Sequence, residues 1–245
     1  MAKLTILLRR NVATAPADFG VNLIQSHASP GVLEDIRESC GLCFERVVID
    51  IPDQHGDETV PRVDGVVSLW SSQSLADPGL LSQVRDAICA SYAQRETITG
   101  AHVVWAYNVN ELVQWDYDRT WECGQPSPGV KQISFLTRRQ GLTLADFEDR
   151  WRRLHTPLAK LHHPAIWRYV QNLVQDEVIA PNNTSDDLHA DGIAELHFRT
   201  SRDRQDRFFA KETSRSIIVD DIRQFASLRS VWDLLATEYV VRSGT

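Results

Sequence analysis

The sequence predicts an α+β fold in which two tandem ferredoxin-like repeats, each with the order β-α-β-β-α-β, form one α/β barrel. Two observations lead to this prediction: the chain repeats itself at a period of about 128 residues, and each copy shows that order of strand and helix patterns. A period far above that of solenoid repeats indicates two copies of a whole domain. The matching segments are 4–10 with 133–139, 27–30 with 155–157, and 64–70 with 191–197.

The repeat divides the chain into two expected domains, residues 1–120 and residues 130–245, joined by a linker at residues 121–129. The linker contains the turn-forming residues Gly124 and Pro126. At 245 residues the chain is long enough for two domains of about 120 residues, each with its own core.

The first elements of the second copy follow strand and helix periodicities closely. Residues 130–137 alternate in the way that a half-buried strand does. Gly141 then interrupts the chain, and Thr143 with Asp146 forms a capping box that begins a helix. Apolar residues at helical spacing continue to about residue 161, and Pro164 ends the helix. The apolar stripe consists of Phe147, Trp151, Leu154 and Leu158.

The remaining segments complete the β-α-β-β-α-β order in both copies. In the second copy we expect strands at 167–174, 192–198 and 232–241, a loop at 176–190, a helix from Ser201 to about residue 216, and a short helix from Asp220 and Asp221 to about residue 227. In the first copy we expect strands near 3–9, 44–51, 64–70 and 101–109, and helices near 16–29 and 78–95.

A ferredoxin-like unit leaves one face of its sheet uncovered, so two units are expected to join these faces as a barrel. Because strand residues alternate between faces, the apolar residues Ala194, Leu196 and Phe198 should lie beneath the helices. The opposite, partly polar faces then line the lumen, which predicts a pocket there. The predicted luminal residues are Ile193, Glu195, His197, Gln132, Ser134 and Arg138 in the second copy, and Ser68, Trp70 and Arg9 in the first.

Charge and composition exclude several classes of function. A net charge of −7 and a pI near 5.6 argue against nucleic acid or an anionic membrane as the main partner. No apolar run reaches the roughly 18 residues of a spanning helix, so we expect a cytoplasmic protein. The sequence also lacks a glycine-rich phosphate loop, a nucleophile elbow and zinc-ligand spacing, which argues against nucleotide, acyl-serine and metal chemistry.

The cysteines and the adjacent histidines are expected to be structural. Cys40 and Cys43 have the spacing of a redox motif or half a zinc site, but no second pair follows, and Gly41 indicates the end of a helix. His162 and His163 face different directions on a helix, so a shared metal is not expected.

A series of segments in the second copy occurs in a characteristic order. It consists of 136–143, Phe147, Trp151, 155–158, 167–172, 191–196, Asp220, Asp221, Phe225 and Glu238. In this order the segments resemble the EthD family of the dimeric α/β-barrel superfamily, over nearly the whole second copy. The first copy departs from the pattern, because its helix before His27 lacks the Phe and Trp residues and Trp70 stands where the second copy has His197.

The resemblance implies a cofactor-free pocket that acts on aromatic or polyketide-like molecules, in a protein that forms a homodimer. Relatives include decarboxylases, dehydratases and cyclases, which predicts a cofactor-independent lyase or cyclase. The wider superfamily adds two alternatives: a cofactor-free monooxygenase of phenols, and a small-molecule or haem-binding protein without catalytic activity. Fold analogy alone does not choose among them.

Four residues are the candidates for catalysis, all in the second copy. His197 is the candidate base or acid, and Glu195, two residues away on the same strand face, would orient it and raise its basicity. The resemblance makes His155 a second proton-transfer candidate at the mouth of the pocket. Arg138 would hold a substrate anion. The structural alternatives are a buried histidine satisfied by Glu195, a histidine that caps its helix, and an arginine paired with an acidic neighbour.

The predicted substrate-binding residues are Arg9, which matches Arg138, Tyr169 or Asn172 as a donor to an oxyanion, Ser134, and an aromatic wall of Trp70, Trp105 and Trp167. Tyr169 and Asn172 alternate to opposite faces, so at most one of them is luminal. Buried tryptophans are ordinarily core residues. Because Ser68 and Trp70 cannot transfer protons near pH 7, the chemistry is expected in the second copy alone.

Overall fold

In the computed structural model, residues 1–28, 31–53, 62–180 and 189–243 are described. Over these ranges eight strands form one closed antiparallel barrel, with helices outside it. The predicted α/β barrel is thereby confirmed. The strands are β1 (Ala2–Arg10), β2 (Arg46–Pro52), β3 (Gly65–Ser71), β4 (Ala101–Trp115), β5 (Val130–Leu136), β6 (Ile166–Ile179), β7 (Gly192–Phe198) and β8 (Trp232–Arg242).

The order of the strands around the barrel keeps the two halves of the chain together. The order is β1-β3-β2-β8-β5-β7-β6-β4, so β1 to β4 are adjacent and β5 to β8 are adjacent. The halves join at two seams, where β2 pairs with β8 and β4 pairs with β6. Both seams are antiparallel, and the barrel has no open edge.

The helices confirm the predicted positions but differ in their continuity. They are α1 (Pro16–Ala28), α2 (Val32–Cys40), α3 (Pro78–Gln94), α4 (Glu96–Thr99), α5 (Leu144–Asp149), a π-helix (Arg150–His155), α6 (Thr156–His162), α7 (Ser201–Arg207) and α8 (Glu212–Ile222). Gly41 ends α2 with φ of 73°, as predicted. The expected helix from Ser201 is two helices, and Thr200 rather than Ser201 caps the first. Asp220 and Asp221 lie in the last turn of α8, so the short helix predicted to start there is wrong.

The loop expected at 176–190 is wrong at its beginning, because β6 continues to Ile179. The extension of β6 pairs with β4, where Asn108 Nδ2 donates to Asp176 Oδ2 at 2.9 Å. β4 is also longer than predicted and continues to Trp115. The polar side chains of these extensions do not indicate a strand, because backbone pairing with the neighbouring strand, and not burial of the side chains, stabilises them. Residues 181–188 of the predicted loop, like Ser29 and Pro30 of the repeat, lie outside the described residues.

The lumen is apolar at one end and charged at the other. Ile193, Glu195 and His197 face the lumen as predicted, and Ala194, Leu196 and Phe198 lie beneath the helices with Trp151. The apolar end comprises Leu7, Val63, Val66, Trp105, Tyr107, Val109, Ile133, Phe135, Val174, Ala190, Ile193, Trp232 and Leu234.

The predicted orientation of β5 is wrong. Lys131, Ile133 and Phe135 face the lumen, whereas Gln132 and Ser134 lie on the helix side. There Gln132 Oε1 accepts a hydrogen bond from Arg204 Nε of α7 at 2.9 Å. Every residue of β5 is buried, so polarity did not distinguish its two faces. The structural reason is that Lys131 finds its carboxylate partners inside the barrel.

Candidate functional site

Two buried lysines organise the charged end of the lumen. Lys3 Nζ lies 2.6 Å from Glu195 Oε1 and 3.0 Å from Glu111 Oε1. Lys131 Nζ lies 2.9 Å from Glu195 Oε2. Both lysines are at most 2% exposed, and such charges are retained in a protein interior only when they are paired. Glu195 therefore bridges the two lysines and holds the two halves of the barrel together.

Further carboxylates complete this network. Lys131 Nζ lies 2.8 Å from Asp50 Oδ2 and 3.3 Å from Glu238 Oε2. Burial is the largest influence on Asp50 and raises its pKa to about 7, against the opposing effect of Lys131. Burial is the largest influence on Glu238 and acts to raise its pKa, but the opposing charges, among them Lys131 and Arg168, lower it to about 2. The luminal network, as we call it, consists of Lys3, Asp50, Trp70, Glu111, Lys131, Arg168, Asn172, Glu195, His197 and Glu238.

His197 is luminal, but the structure does not pair it with Glu195. Its Nε2 atom lies 3.6 Å from Glu238 Oε2 and 3.4 Å from Arg168 Nη1. Its Nδ1 atom lies 3.4 Å from the hydroxyl of Tyr117. Burial lowers the pKa of His197 to about 3, so the imidazole is neutral and weakly basic. The predicted orienting role of Glu195 is wrong, because both of its oxygens are engaged by lysines.

A half-buried aromatic stack lies at the charged end of the barrel. The ring centroids of Tyr117 and Trp167 are 4.0 Å apart, and Trp121 packs against both. The predicted wall of Trp70, Trp105 and Trp167 does not form, because the three belong to different clusters. Trp70 Nε1 donates to Glu111 Oε2 within the luminal network, and Trp105 lies at the apolar end.

The two strand-end arginines lie apart from the luminal network. Arg138 follows β5, is 40% exposed, and has Nε 3.6 Å from Asp191 Oδ1. Arg9 is half-buried at the end of β1, where its Nε donates to the Arg62 carbonyl. The prediction of these residues inside the barrel is wrong, and the alternative of an acidic partner holds for Arg138. A strand-end side chain points past the last layer of the barrel, which the alternation pattern does not reveal.

A second cluster lies between the helices and the sheet of the second copy. His155 ends the π-helix, and its Nδ1 atom lies 2.7 Å from Asp221 Oδ2 of α8. The ring packs against Phe225 at 5.3 Å. Among the described residues His155 Nε2 has no hydrogen-bond partner. π-Helices are rare and occur often at functional sites.

Tyr169 lies in the same layer, not in the lumen. Its hydroxyl accepts hydrogen bonds from Trp151 Nε1 at 3.0 Å and from Gln171 Nε2 at 2.9 Å. Gln171 Nε2 also lies 3.2 Å from Thr156 Oγ1, next to His155. Burial raises the pKa of Tyr169 to about 12, against the effect of these two donors. The hydroxyl proton is thus retained at neutral pH and remains available for donation.

Asn172, three residues after Tyr169 on β6, is luminal, and its Oδ1 atom accepts a hydrogen bond from Lys3 Nζ at 2.9 Å. Of the two predicted oxyanion donors, Asn172 therefore faces the lumen and Tyr169 faces the helices. Sequence reasoning missed Asp221, which reads as a helix cap, and Gln171. It also missed the charges of the luminal network on other strands: Lys3, Asp50, Glu111, Lys131, Arg168 and Glu238. Because they are far apart in sequence, only a correct register and orientation of each strand would have brought them together.

The histidines His162 and His163 have separate partners. His162 Nδ1 bonds the Ser214 hydroxyl, and His163 Nδ1 bonds the Phe208 carbonyl. In the ranges described, no group of three or more His, Cys, Asp or Glu side chains is arranged to hold a metal ion. No helix in the same ranges is long and apolar enough to cross a membrane.

Comparison with known proteins finds a family similarity over part of the chain. A search of curated proteins finds no match. Among solved structures, a protein from Shewanella oneidensis assigned to the Dyp-type peroxidases is similar at 11% identity and a TM-score of 0.48, covering 97% of this chain and 92% of its own. The family model described as the EthD domain matches residues 139–229. Residues 139–229 are therefore similar to the EthD domain.

Proposed function

We propose that the protein is a cofactor-independent lyase or cyclase that transfers protons on a small aromatic or polyketide-like substrate. The observation that carries the proposal is the pair formed by His155 and Asp221. A carboxylate bound to Nδ1 holds the imidazole in the tautomer whose Nε2 atom accepts a proton, as in other histidine bases. His155 Nε2 has no partner among the described residues, so it is the atom that would meet the substrate.

Tyr169 supplies the complementary group. Its hydroxyl accepts two hydrogen bonds, which leaves its proton for a substrate oxygen. In the proposed step His155 Nε2 takes a proton from the carbon next to a substrate carbonyl. The C–H electron pair moves toward the carbonyl oxygen, and Tyr169 donates a hydrogen bond to the enolate that forms. The imidazolium then returns the proton to carbon or to the departing group.

The position of the cluster favours it over His197. His155, Tyr169 and Asp221 all lie within the segment that the EthD model matches; His197 lies there too, but the charged network that encloses it depends on residues outside 139–229, such as Lys3 and Lys131. His197 is also a weaker base and is enclosed by charged partners. We therefore assign the luminal network a structural role and the cluster around His155 the chemistry.

Exchange of the α-protons of an aryl ketone for deuterium from the solvent tests this proposal without knowledge of the natural substrate. Wild-type protein and the variants His155→Gln, Asp221→Asn and Tyr169→Phe are incubated with 1-tetralone or acetophenone in D₂O, and loss of the α-proton signal is followed by NMR. We expect His155→Gln to lower the exchange rate by about 10²–10⁴-fold. His197→Gln is the matched control and should keep a rate within a few-fold of wild type.

Exchange that persists in His155→Gln and is lost in a folded His197→Gln would return the assignment to His197. Two rival functions have their own signatures in the same samples. Oxygen consumption with phenolic substrates would support a monooxygenase, and a Soret band in the purified protein would support haem binding. The proposed lyase or cyclase predicts neither.

We also propose that the two halves are ferredoxin-like repeats, residues 1–120 and 130–245 with a linker at 121–129, that arose by duplication. The strand order β4-β1-β3-β2 of the first half recurs as β8-β5-β7-β6 in the second, which supports this. Assembly into a homodimer is a further proposal from the family resemblance. Sedimentation equilibrium tests it, with an expected mass of twice 27.8 kDa.

A further inference from the structure

Gln171 lies between the two groups to which the proposed function assigns proton transfer. It is fully buried on β6, two residues after Tyr169 and on the same side of the strand. Its Nε2 atom lies 2.9 Å from the Tyr169 hydroxyl and 3.2 Å from the carbonyl oxygen of Trp151, in the π-helix that ends at His155. One amide therefore binds both the hydroxyl of Tyr169 and the segment that carries His155.

The partners of the Gln171 amide determine which way it points. The Trp151 carbonyl can only accept a hydrogen bond, so the nitrogen of the amide faces it and the oxygen points away. Trp151 Nε1 can only donate, and it bonds the Tyr169 hydroxyl at 3.0 Å. Because this hydroxyl accepts from both Gln171 Nε2 and Trp151 Nε1, its own proton is directed away from both.

The oxygen of this amide is held by a residue of the first half. Gln114 Nε2 of β4 donates to Gln171 Oε1 at 2.6 Å, across the seam where β4 pairs with β6. The pairing shifts register between Val113 and Trp115, so Gln114 is the extra residue of a β-bulge. The Trp115 ring packs against Tyr169 with centroids 5.1 Å apart. The bulge thus brings two successive side chains to the helix side of the sheet, as bulges often do beside active sites.

We propose that Gln114 is a positioning residue for the proposed proton transfer, because it holds the Gln171 amide in the orientation that leaves the Tyr169 proton to the substrate. In the reverse orientation Gln171 Oε1 would accept that proton instead. The inference rests on the proposed function and extends it to the first half of the chain, since Gln114 lies outside residues 139–229. Gln114 acts through Gln171 and Tyr169 and does not itself touch the substrate.

Two substitutions of Gln114 separate the hydrogen bond that it donates from its size. Gln114→Glu keeps the shape but offers only acceptors at pH 8, and a hydrogen bond to a carboxylate is stronger than one to a neutral carbonyl. The Gln171 amide should therefore turn its nitrogen toward the carboxylate and its oxygen toward Tyr169. Gln114→Lys keeps a donor of similar reach and should preserve the wild-type orientation. Gln175→Glu places the same charge at an exposed position of β6 and is the matched control.

The exchange rate of the α-protons of 1-tetralone in D₂O, measured at saturating ketone, reports the consequence. We expect Gln114→Glu to lower it at least about tenfold, toward the rate of Tyr169→Phe, and Gln114→Lys and Gln175→Glu to stay within a few-fold of wild type. In the Tyr169→Phe background Gln114→Glu should cause no further loss, because the hydroxyl through which it acts is already absent. A role in folding alone would lower the rate in both backgrounds.

A measurement without substrate tests the orientation itself. In the wild type the side-chain amide protons of Gln171 should show nuclear Overhauser contacts to the Tyr169 ring, which Gln114→Glu should lose and Gln114→Lys should keep. The positioning role is overturned if Gln114→Glu keeps these contacts, or if it exchanges as fast as wild type while Tyr169→Phe does not. The proposed function fails by a different result, an exchange rate that His155→Gln leaves unchanged.

Discussion

The two halves of the barrel carry the same lysine at corresponding positions but surround it differently. Lys3 on β1 pairs with Trp70 and Val109, and Lys131 on β5 pairs with His197 and Ala236. Each lysine also binds a carboxylate from the last strand of its own half. Glu111 lies 3.0 Å from Lys3, and Glu238 lies 3.3 Å from Lys131.

The halves differ in the group that each lysine meets across the lumen. Lys3 binds the Asn172 side-chain oxygen at 2.9 Å, whereas Lys131 binds Asp50 Oδ2 at 2.8 Å. Asn172 and Asp50 lie on corresponding strands, and each stands opposite a glutamate at a seam. An amide is neutral, and a carboxylate directly opposite Glu238 is repelled. The difference indicates that Asp50 resembles an amide while it is protonated, below its pKa of about 7.

Two further observations support a neutral Asp50. Asp50 Oδ1 is buried and receives no hydrogen bond from any described residue, so it is an oxygen on which a proton can reside. The luminal network also holds four carboxylates against three cations while His197 is neutral, and one of the cations, Arg168, also binds Asp116 at 2.8 Å, so an added proton lowers an excess of negative charge. The cations are Lys3, Lys131 and Arg168, and the carboxylates are Asp50, Glu111, Glu195 and Glu238.

The largest effect should come from removing a lysine. Lys131→Met removes the lysine that binds Glu238 and leaves Glu195 with Lys3 as its only lysine in a buried site, and we expect a loss of about 3–5 kcal/mol in the free energy of unfolding. Lys3→Met is the comparison variant and should cost less, because Lys3 lies against two carboxylates and an amide. Urea denaturation at pH 7 measures both. Equal stability of wild type and Lys131→Met would contradict the network.

Asp50→Asn should have a smaller effect of opposite sign. The pKa of Asp50, about 7 in the folded protein, exceeds the value of about 3.9 in an unfolded chain, so folding takes up a proton between these values. The contribution of Asp50 to the stability of the wild type, measured as the difference from Asp50→Asn, should accordingly fall as pH rises from about 4 to 7. Asp50→Asn removes this contribution and should be more stable than wild type at pH 8, on the order of 2 kcal/mol.

The reciprocal variant sharpens this comparison. Asn172→Asp places an acid opposite Glu111 at the other seam, so it should acquire a fall in stability with rising pH that wild-type Asn172 does not contribute. Unfolding curves at pH 5 and pH 8 for the two variants measure the slopes. A pH slope in Asp50→Asn equal to that of wild type would show that Asp50 is already ionised.

The smallest effect concerns Trp70, which replaces His197 in the first half. Trp70 Nε1 donates to Glu111 Oε2 at 2.9 Å, and Lys3 lies 4.5 Å from its ring. Trp70→Phe keeps an aromatic ring and removes the hydrogen bond, so we expect a loss of about 1–2 kcal/mol in thermal or urea unfolding. Trp105→Phe, which removes a donor that has no acceptor among the described residues, should cost less than Trp70→Phe.

The sequence predicted the architecture more fully than the site. Repeated segments and strand alternation predicted the barrel and the luminal direction of Glu195 and His197. The alternation of polar and apolar residues did not predict the orientation of β5, because both faces of this strand are buried and Lys131 is paired with carboxylates inside the barrel. The partner of His155 could not be predicted, because Asp221 comes 66 residues later on a different helix. Contacts of this kind depend on how elements pack and not on local pattern.

We propose proton transfer in the second half because Asp221 holds His155 Nδ1 and no described residue bonds the Nε2 atom. The most direct test is the tautomer of His155, read from ¹⁵N chemical shifts in long-range ¹H–¹⁵N spectra at pH 8, with assignment by His155→Gln. We expect a protonated Nδ1 and an unprotonated Nε2, and a shift toward the other tautomer in Asp221→Asn. A proton on Nε2 in the wild type, or spectra unchanged in Asp221→Asn, would contradict the account.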